Sequence, residues 1–190
     1  MIVTRSELAR VSGVDHYDGS LLAQRFAWNF FGGQVDPHGD CLAFIAPTVV
    51  EAGTMVDLED KLAGDFIYAD EMMNFVWELP GVDGWGGVAF QRLFNHLLAV
   101  ELSAGIAAPV RVLGDDLMVA AGKCSVSISV PRPGACLGHT GINLRAGPRA
   151  PGHAADCGLN GDRAAAFLAR GVELFRDLTR DIFRATSKVR

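Results

Sequence analysis

No apolar run in this sequence is long enough to cross a bilayer. The N-terminal stretch MIVTRSELARVSG has no apolar h-region, so no secretory signal is expected. The four cysteines, Cys41, Cys124, Cys136 and Cys157, form no CxxC and no zinc-ribbon spacing. These absences make the cytoplasm the default compartment, with reduced thiols and no membrane partner. Lys and Arg form no run, and the formal net charge is -5. The electrostatic footprint of a nucleic-acid binder is therefore missing. Aromatics are scarce, and Trp28, Trp77 and Trp85 sit in separate segments. That scatter fits core filling rather than a stacking platform. There is no internal repeat and no low-complexity tract.

What is present is ordinary globular composition, 49% apolar and 21% charged over 190 residues. That length fits one domain over residues 1–190 with a sizeable core. Residues 15–20, DHYDGS, read as a turn. Residues 21–31 read as a short helix or buried segment, and 32–40 as loop or hairpin. CLAFIAPTVV (41–50) is apolar and partly β-branched, the pattern of a buried strand. Residues 51–70 are acidic and irregular. EMMNFVWEL (71–79) predicts a helix that stops at Pro80-Gly81. Residues 87–105 predict a helix with a stripe of Phe90, Leu93, Phe94, Leu97 and Val100 and a stop at Gly105. VRVL and DLMVA follow as short strands joined at Gly114-Asp115, with a second turn at Gly122.

CSVSISV (124–130) alternates strictly, with Val126, Ile128 and Val130 on one side and Ser125, Ser127 and Ser129 on the other. It predicts a half-buried strand with a hydroxyl-lined face. ACLGHTGINL (135–144) reads as its antiparallel partner across PRPG. Residues 162–189 predict one long amphipathic helix with Ala164, Leu168, Val172, Phe175 and Ile182 along its stripe. The order predicts an α+β or mixed-sheet α/β fold with helices against one face.

Lys123 is the leading chemical candidate. It sits just past a tight turn, at the start of a strand with one polar face. An ammonium there can point into a cleft and stabilise charge developing between a carboxylate and a phosphate. Equally, a turn lysine can simply be solvated. Asp116 opens the DLMVA strand beside it. Asp115 reads as a turn residue that satisfies its own backbone. Asp57 and Glu59 share a face if MVDLED is extended, and paired carboxylates can hold magnesium or a substrate amine. If the segment begins a helix, they complement its dipole instead. His139 lies on the LGHTGINL strand, on which Gly141 permits close approach of a ligand and Asn143 offers both a donor and an acceptor. His38, His139 and His153 with Cys157 show no metal-ligand spacing, so no metal cluster is expected.

The stretch GDDLMVAAGKCSVSIS followed by LGHTGINL resembles the biotin and lipoate protein ligase superfamily. In that pattern an Asp precedes an apolar strand, then come a turn with Gly and Lys, a second strand, and a Gly-apolar-Asn segment. The sequence is more closely similar to a small archaeal and bacterial family of unassigned function on that fold. Its shared features are the YDGS start (Tyr17 to Ser20), the acidic MVDLED segment (Met55 to Asp60) and the core from Gly114 to Asn143. The resemblance spans nearly the whole chain. Each motif is weak alone, but their order and spacing are fairly specific.

The resemblance implies a mixed, largely antiparallel sheet with helices packed on one side. Lys123 matches the ligase lysine that contacts the carboxylate and phosphate of an acyl-adenylate. That role implies ATP and Mg as cofactors, a small carboxylate as ligand, and an acyl-carrier domain as acceptor. In the octanoyl transferase branch a lysine and a cysteine act without ATP, and the acyl group rests on the cysteine as a thioester. Cys157, in ADCGLNG, falls roughly where that branch places its cysteine. GGQVDPHG, with Gly32, Gly33 and His38, resembles that branch's RGGQVTYHGPGQ segment, but Phe31 replaces the arginine and the second half is lacking. The Gly-rich nucleotide loop of the ligases survives only as Gly32-Gly33.

Two kinds of function therefore stand. One is an acyl or biotinyl-type ligase or transferase with Lys123 as charge stabiliser. The other is a non-catalytic small-molecule-binding domain, or a structural homodimer formed through its strand edges.

Overall fold

The computed structural model describes residues 1–23 and 25–189. Gln24, which falls inside the 21–31 segment, lies outside the described residues. The chain opens on helix α1 (Arg5–Ser12), started by a capping box between Thr4 and Glu7 and stopped by Gly13 in the left-handed region. A 3-10 turn (Ser20–Ala23) and a five-residue helix α2 (Phe26–Phe30) lead to strand β1 (Asp40–Val50). The acidic segment expected to be irregular contains a short helix, α3 (Leu58–Ala63).

The next element corrects the sequence reading. Residues 71–79 are not helical but belong to β2 (Ile67–Pro80). This strand lies between β1 and a later strand, and every residue from Met72 to Leu79 is buried. Met73, Phe75, Trp77 and Leu79 enter one core, and Val76 enters the core on the opposite face. With both faces covered there is no polar alternation to betray the strand, and Met, Glu and Leu lend the run helical propensity. Burial overrides that weak preference.

Helix α4 (Gly84–Ile106) follows, capped by Asp83. It passes the expected stop at Gly105 and ends at Ala107, which takes a φ of 53°. Its buried stripe is also rotated from the expected one. Gln91, Phe94, Asn95, Leu98 and Leu102 are buried, whereas Leu93 and Val100 are 50% and 59% exposed. The rotation lets two amides reach the sheet, as described below. Short strands β3 (Val110–Leu113), β4 (Asp116–Val119) and β5 (Gly122–Lys123) make a three-stranded antiparallel sheet. Strands β6 (Ser125–Arg132) and β7 (Ala135–Arg145) form the expected hairpin. Helix α5 (Gly161–Ser187) closes the chain.

The main sheet runs β1-β2-β7-β6, all antiparallel. Parallel pairing is confined to isolated bridges, including Tyr17 to Thr48 and Lys123 to Ala154. The long helices α4 and α5 pack on one face, with Phe90, Phe94 and Phe167 meeting Phe75 and Trp77, and Phe175 meeting Phe90 and Phe94. The N-terminal segment covers part of the other face, through Leu8, Tyr17, Leu22 and Phe26. No described helix is long and apolar enough to cross a membrane.

Gly171 brings α5 close to the sheet. A Cβ there would lie 2.4 Å from the Phe75 ring. Gly171→Ala gains roughly 1 kcal/mol of helix propensity, but forcing a methyl into this contact costs about 1–3 kcal/mol. The variant is expected to melt a few degrees lower in calorimetry. A higher midpoint would mean that α5 has room to shift.

Candidate functional site

The half of the sheet that the N-terminal segment leaves open forms a cleft of about 520 Å³. Its floor is the face of β6 and β7 that carries Val126, Ile128, His139 and Asn143. This inverts the expected use of the alternating strand. The serines turn mainly toward the helix side and are consumed by structure. Ser125 Oγ accepts from Leu117 N at 2.7 Å, and Ser127 Oγ accepts from Gln91 Nε2 at 2.8 Å. Ser127 also lies 3.2 Å from Thr140 Oγ1, which donates to Asn95 Oδ1 at 2.9 Å. The buried amides of α4 needed these partners, and the apolar face was left for the cleft.

Lys123 lines the cleft. Its backbone is clamped on both sides, donating to His153 O and accepting from Ala155 N, each at 2.9 Å. Its Nζ lies 2.8 Å from Asp116 Oδ1, with the two side chains 30% and 31% exposed. Lys123 is thus a partly buried, paired side chain rather than a free turn lysine. Asp115 also reaches the cleft, but its carboxylate is engaged by Arg92 at 2.8 Å and Gln91 at 3.3 Å.

His139 is buried at the floor and stacks on Tyr17, with ring centroids 4.0 Å apart. Burial pushes its pKa down to about 3. Asn74 Nδ2 donates to Met72 O, so Asn74 Oδ1 faces His139 Nε2 at 2.9 Å and can only accept. We therefore assign the proton to Nε2, which makes the neutral ring a donor to Asn74. Two polar atoms in this cleft find no protein partner, Tyr17 Oη and Asn143 Oδ1. Asn143 Nδ2 is already engaged, donating to Ala155 O at 3.2 Å.

The acidic wall comes from α3 and its flanks. Asp57 is the N-cap of α3, and its Oδ1 accepts from Glu59 N at 2.8 Å and Asp60 N at 3.2 Å. The extended reading of MVDLED is thereby replaced by the helix-start reading. Glu59 and Asp60 stand on the same wall. Burial, and then the neighbouring Asp57, raise the Asp60 carboxyl above its ordinary range. Among the described residues no three His, Cys, Asp or Glu side chains converge as metal ligands.

Four sequence candidates lie elsewhere. Gly32 and Gly33 occupy positive φ just after α2, where Gly33 N donates to Trp28 O. His38 pairs with Asp36 and packs on Phe183. All three precede Asp40 at the start of β1, whereas Val50 at its far end lines the cleft. An eleven-residue strand separates those ends by roughly 30 Å. Cys157 is fully buried in the helix-side core, and burial raises its thiol pKa. That is the opposite of an activated thiolate, which needs access and a depressed pKa. Gly141 is a fifth correction. A Cβ there would meet Met72 Sδ at 2.3 Å and His139 at 3.0 Å, so protein side chains, not a ligand, fill the space above it.

The sequence reading passed over Tyr17 and Asp60 as site residues. Tyr17 had a signal, an aromatic inside an otherwise polar turn. Asp60 is separated from Asp57 only by one being a cap, which the sequence alone does not show.

His139 makes a pH prediction. Its folded pKa lies below the ordinary 6.5, so its contribution is complete above that value and is lost as pH falls toward about 3. His139→Gln keeps a donor for Asn74 but takes up no proton. Its denaturant midpoint should therefore fall less steeply than the parent's between pH 7 and pH 4. Parallel curves would show that His139 is not kept neutral by the fold.

Solved structures resemble this arrangement at two levels. A protein of unknown function from Pyrococcus horikoshi is 25% identical, with 92% of each chain covered and a TM-score of 0.81. A biotin protein ligase from Aquifex aeolicus in complex with biotin and ATP is 12% identical over 73% of this chain and 60% of that one, at a TM-score of 0.52. Lipoate-protein ligase A bound with ATP is 16% identical over 97% of this chain and 92% of that one, at 0.51. At such identities the ligases share the fold and nothing finer. A search of the curated proteins finds no match. The biotin and lipoate ligase fold expected from the sequence is the fold found. A family pattern, described as Domain of unknown function (DUF366), matches residues 9–190, and the chain belongs to that family.

Proposed function

We propose that the cleft binds a small carboxylate or its adenylate, and that Lys123 stabilises the negative charge at the reacting end, as in an acyl or biotinyl-type ligase. The observation that carries this reading is the Lys123–Asp116 pair lining the cleft, on a ligase fold. Lys123 is the only Lys or Arg side chain lining the cleft among the described residues. Asp116 orients the ammonium, leaving its other N–H groups for an incoming carboxylate oxygen or phosphoryl oxygen. The stacked, neutral His139 and Tyr17 rings give the organic part of the ligand a flat, uncharged floor.

ATP belongs to this proposal because the ligases that share the fold were solved with it. Magnesium fits less well. Asp57 is occupied as a helix cap, and no set of three ligating side chains converges among the described residues. The thioester route is disfavoured by the burial of Cys157, which leaves direct transfer from an adenylate to an amine on a carrier domain. The same burial, with Gly32-Gly33 far from the cleft, supports a second reading in which the pocket binds its ligand without turning it over.

The test is a thermal-shift series with ATP, biotin, lipoate, octanoate and the acyl-adenylates. A ligand at a hundredfold excess over its dissociation constant stabilises the folded state by about 2.7 kcal/mol. Lys123→Ala should remove that stabilisation while leaving the unliganded midpoint nearly unchanged, and Cys157→Ser should retain it. An equal shift in Lys123→Ala would exclude Lys123 from the site.

A further inference from the structure

The cleft is unusually acidic for a carboxylate site. Six carboxylates line it, those of Asp57, Glu59, Asp60, Asp65, Asp115 and Asp116. Three are accounted for, since Asp57 caps α3, Asp115 pairs with Arg92, and Asp116 pairs with Lys123. Glu59, Asp60 and Asp65 have no cationic partner among the described residues. A ligand carrying only negative charge would be attracted by Lys123 and repelled by this wall.

A second, independent observation concerns hydrogen bonding. Asn143 is 4% exposed, its amide nitrogen is taken by Ala155, and its Oδ1 has no donor. Tyr17 is 2% exposed with an unpartnered hydroxyl. An amide oxygen can only accept, and neither a carboxylate nor a phosphate brings an N–H to it. Asn143 Oδ1 calls for a donor, whereas the Tyr17 hydroxyl can give or accept a hydrogen bond. A metal ion could also be met by an amide oxygen, but among the described residues no three His, Cys, Asp or Glu side chains converge to hold one. Ala155 ties Asn143 to Lys123, because it accepts from the first and donates to the second. Lys123 in turn acts electrostatically on Asp60. The cationic and anionic halves of the cleft are thus one site.

We propose that the ligand is an amino-carboxylate, with its carboxylate on Lys123 and its ammonium group on the wall formed by Glu59, Asp60 and Asp65. The inference rests on the carboxylate reading above and narrows it. A plain fatty acyl chain would leave the acidic wall unmet, whereas an ammonium carries three donors and a full positive charge.

Three matched probes separate the possibilities, with binding to the whole protein measured by titration calorimetry at neutral pH. They are 6-aminohexanoate, hexanoate and hexylamine. The expected result is that 6-aminohexanoate binds about tenfold or more tightly than either of the others. In Asp60→Asn its preference over hexanoate should collapse toward equality, and Lys123→Ala should weaken both acids. If hexanoate binds as tightly as 6-aminohexanoate, or Asp60→Asn keeps the preference, the amine inference is overturned while the carboxylate reading stands. If added Mg²⁺ lifts hexanoate to the same affinity and Asp60→Asn abolishes that gain, the wall seats a metal ion and the inference is again overturned. If hexylamine alone binds best and Lys123→Ala has no effect, the carboxylate reading falls, and the inference with it.

Discussion

A strand buried on both faces needs cover on both, and β2 makes that demand on the whole molecule. Its residues from Met72 to Leu79 are all inaccessible, including Asn74 and Glu78. On one face α4 and α5 meet the demand with a cluster of phenylalanines. On the other, the N-terminal segment reaches only part of the way. It satisfies Glu78 through Arg25 at 2.6 Å and Ala27 N at 3.4 Å, and it ends its cover at Tyr17. Beyond Tyr17 the sheet opens into the cleft. The position of the site therefore follows from where the covering chain stops.

The polar groups under the cleft obey the same constraint. Asn74 cannot be left bare in the sheet, so Thr48, His139 and Met72 surround it with donors and an acceptor. His139 remains neutral in return, and its stacking fixes Tyr17. The cost of an unmet buried polar group is about 1–3 kcal/mol. Two such groups in one cleft, Tyr17 Oη and Asn143 Oδ1, mark the place where the fold forgoes stability that a bound molecule can restore.

Much of this was legible in the sequence, for reasons that can be named. Strand β6 declared itself by strict alternation, β7 followed from the turn, and α5 carried its stripe openly. Lys123 was visible because a Gly-Lys turn before a strand is a compact local pattern. Residues 71–79 were misread because a strand with two buried faces loses the period that identifies strands. The direction in which β6 presents its serines could not be read locally, since it depends on Gln91 and Asn95, far off in sequence, needing partners. Gly32, Gly33 and His38 were suggested by resemblance of a short segment, and the length of β1 carries them away from the cleft. Cys157 was suggested by resemblance to the transferase branch, whereas its burial depends on how β7 and the loop before α5 pack. Nucleophiles are decided by environment, and environment is the part that sequence spacing conveys least.

Everything proposed for this protein places its ligand in the cleft beside Lys123. The most direct measurement is a crystal structure of the protein grown with a non-hydrolysable acyl-adenylate analogue. The acyl group is expected over His139 and Tyr17, with the phosphate mimic within hydrogen-bonding reach of Lys123 Nζ. The analogue bound outside this cleft, with Lys123 still paired to Asp116 alone, would contradict it.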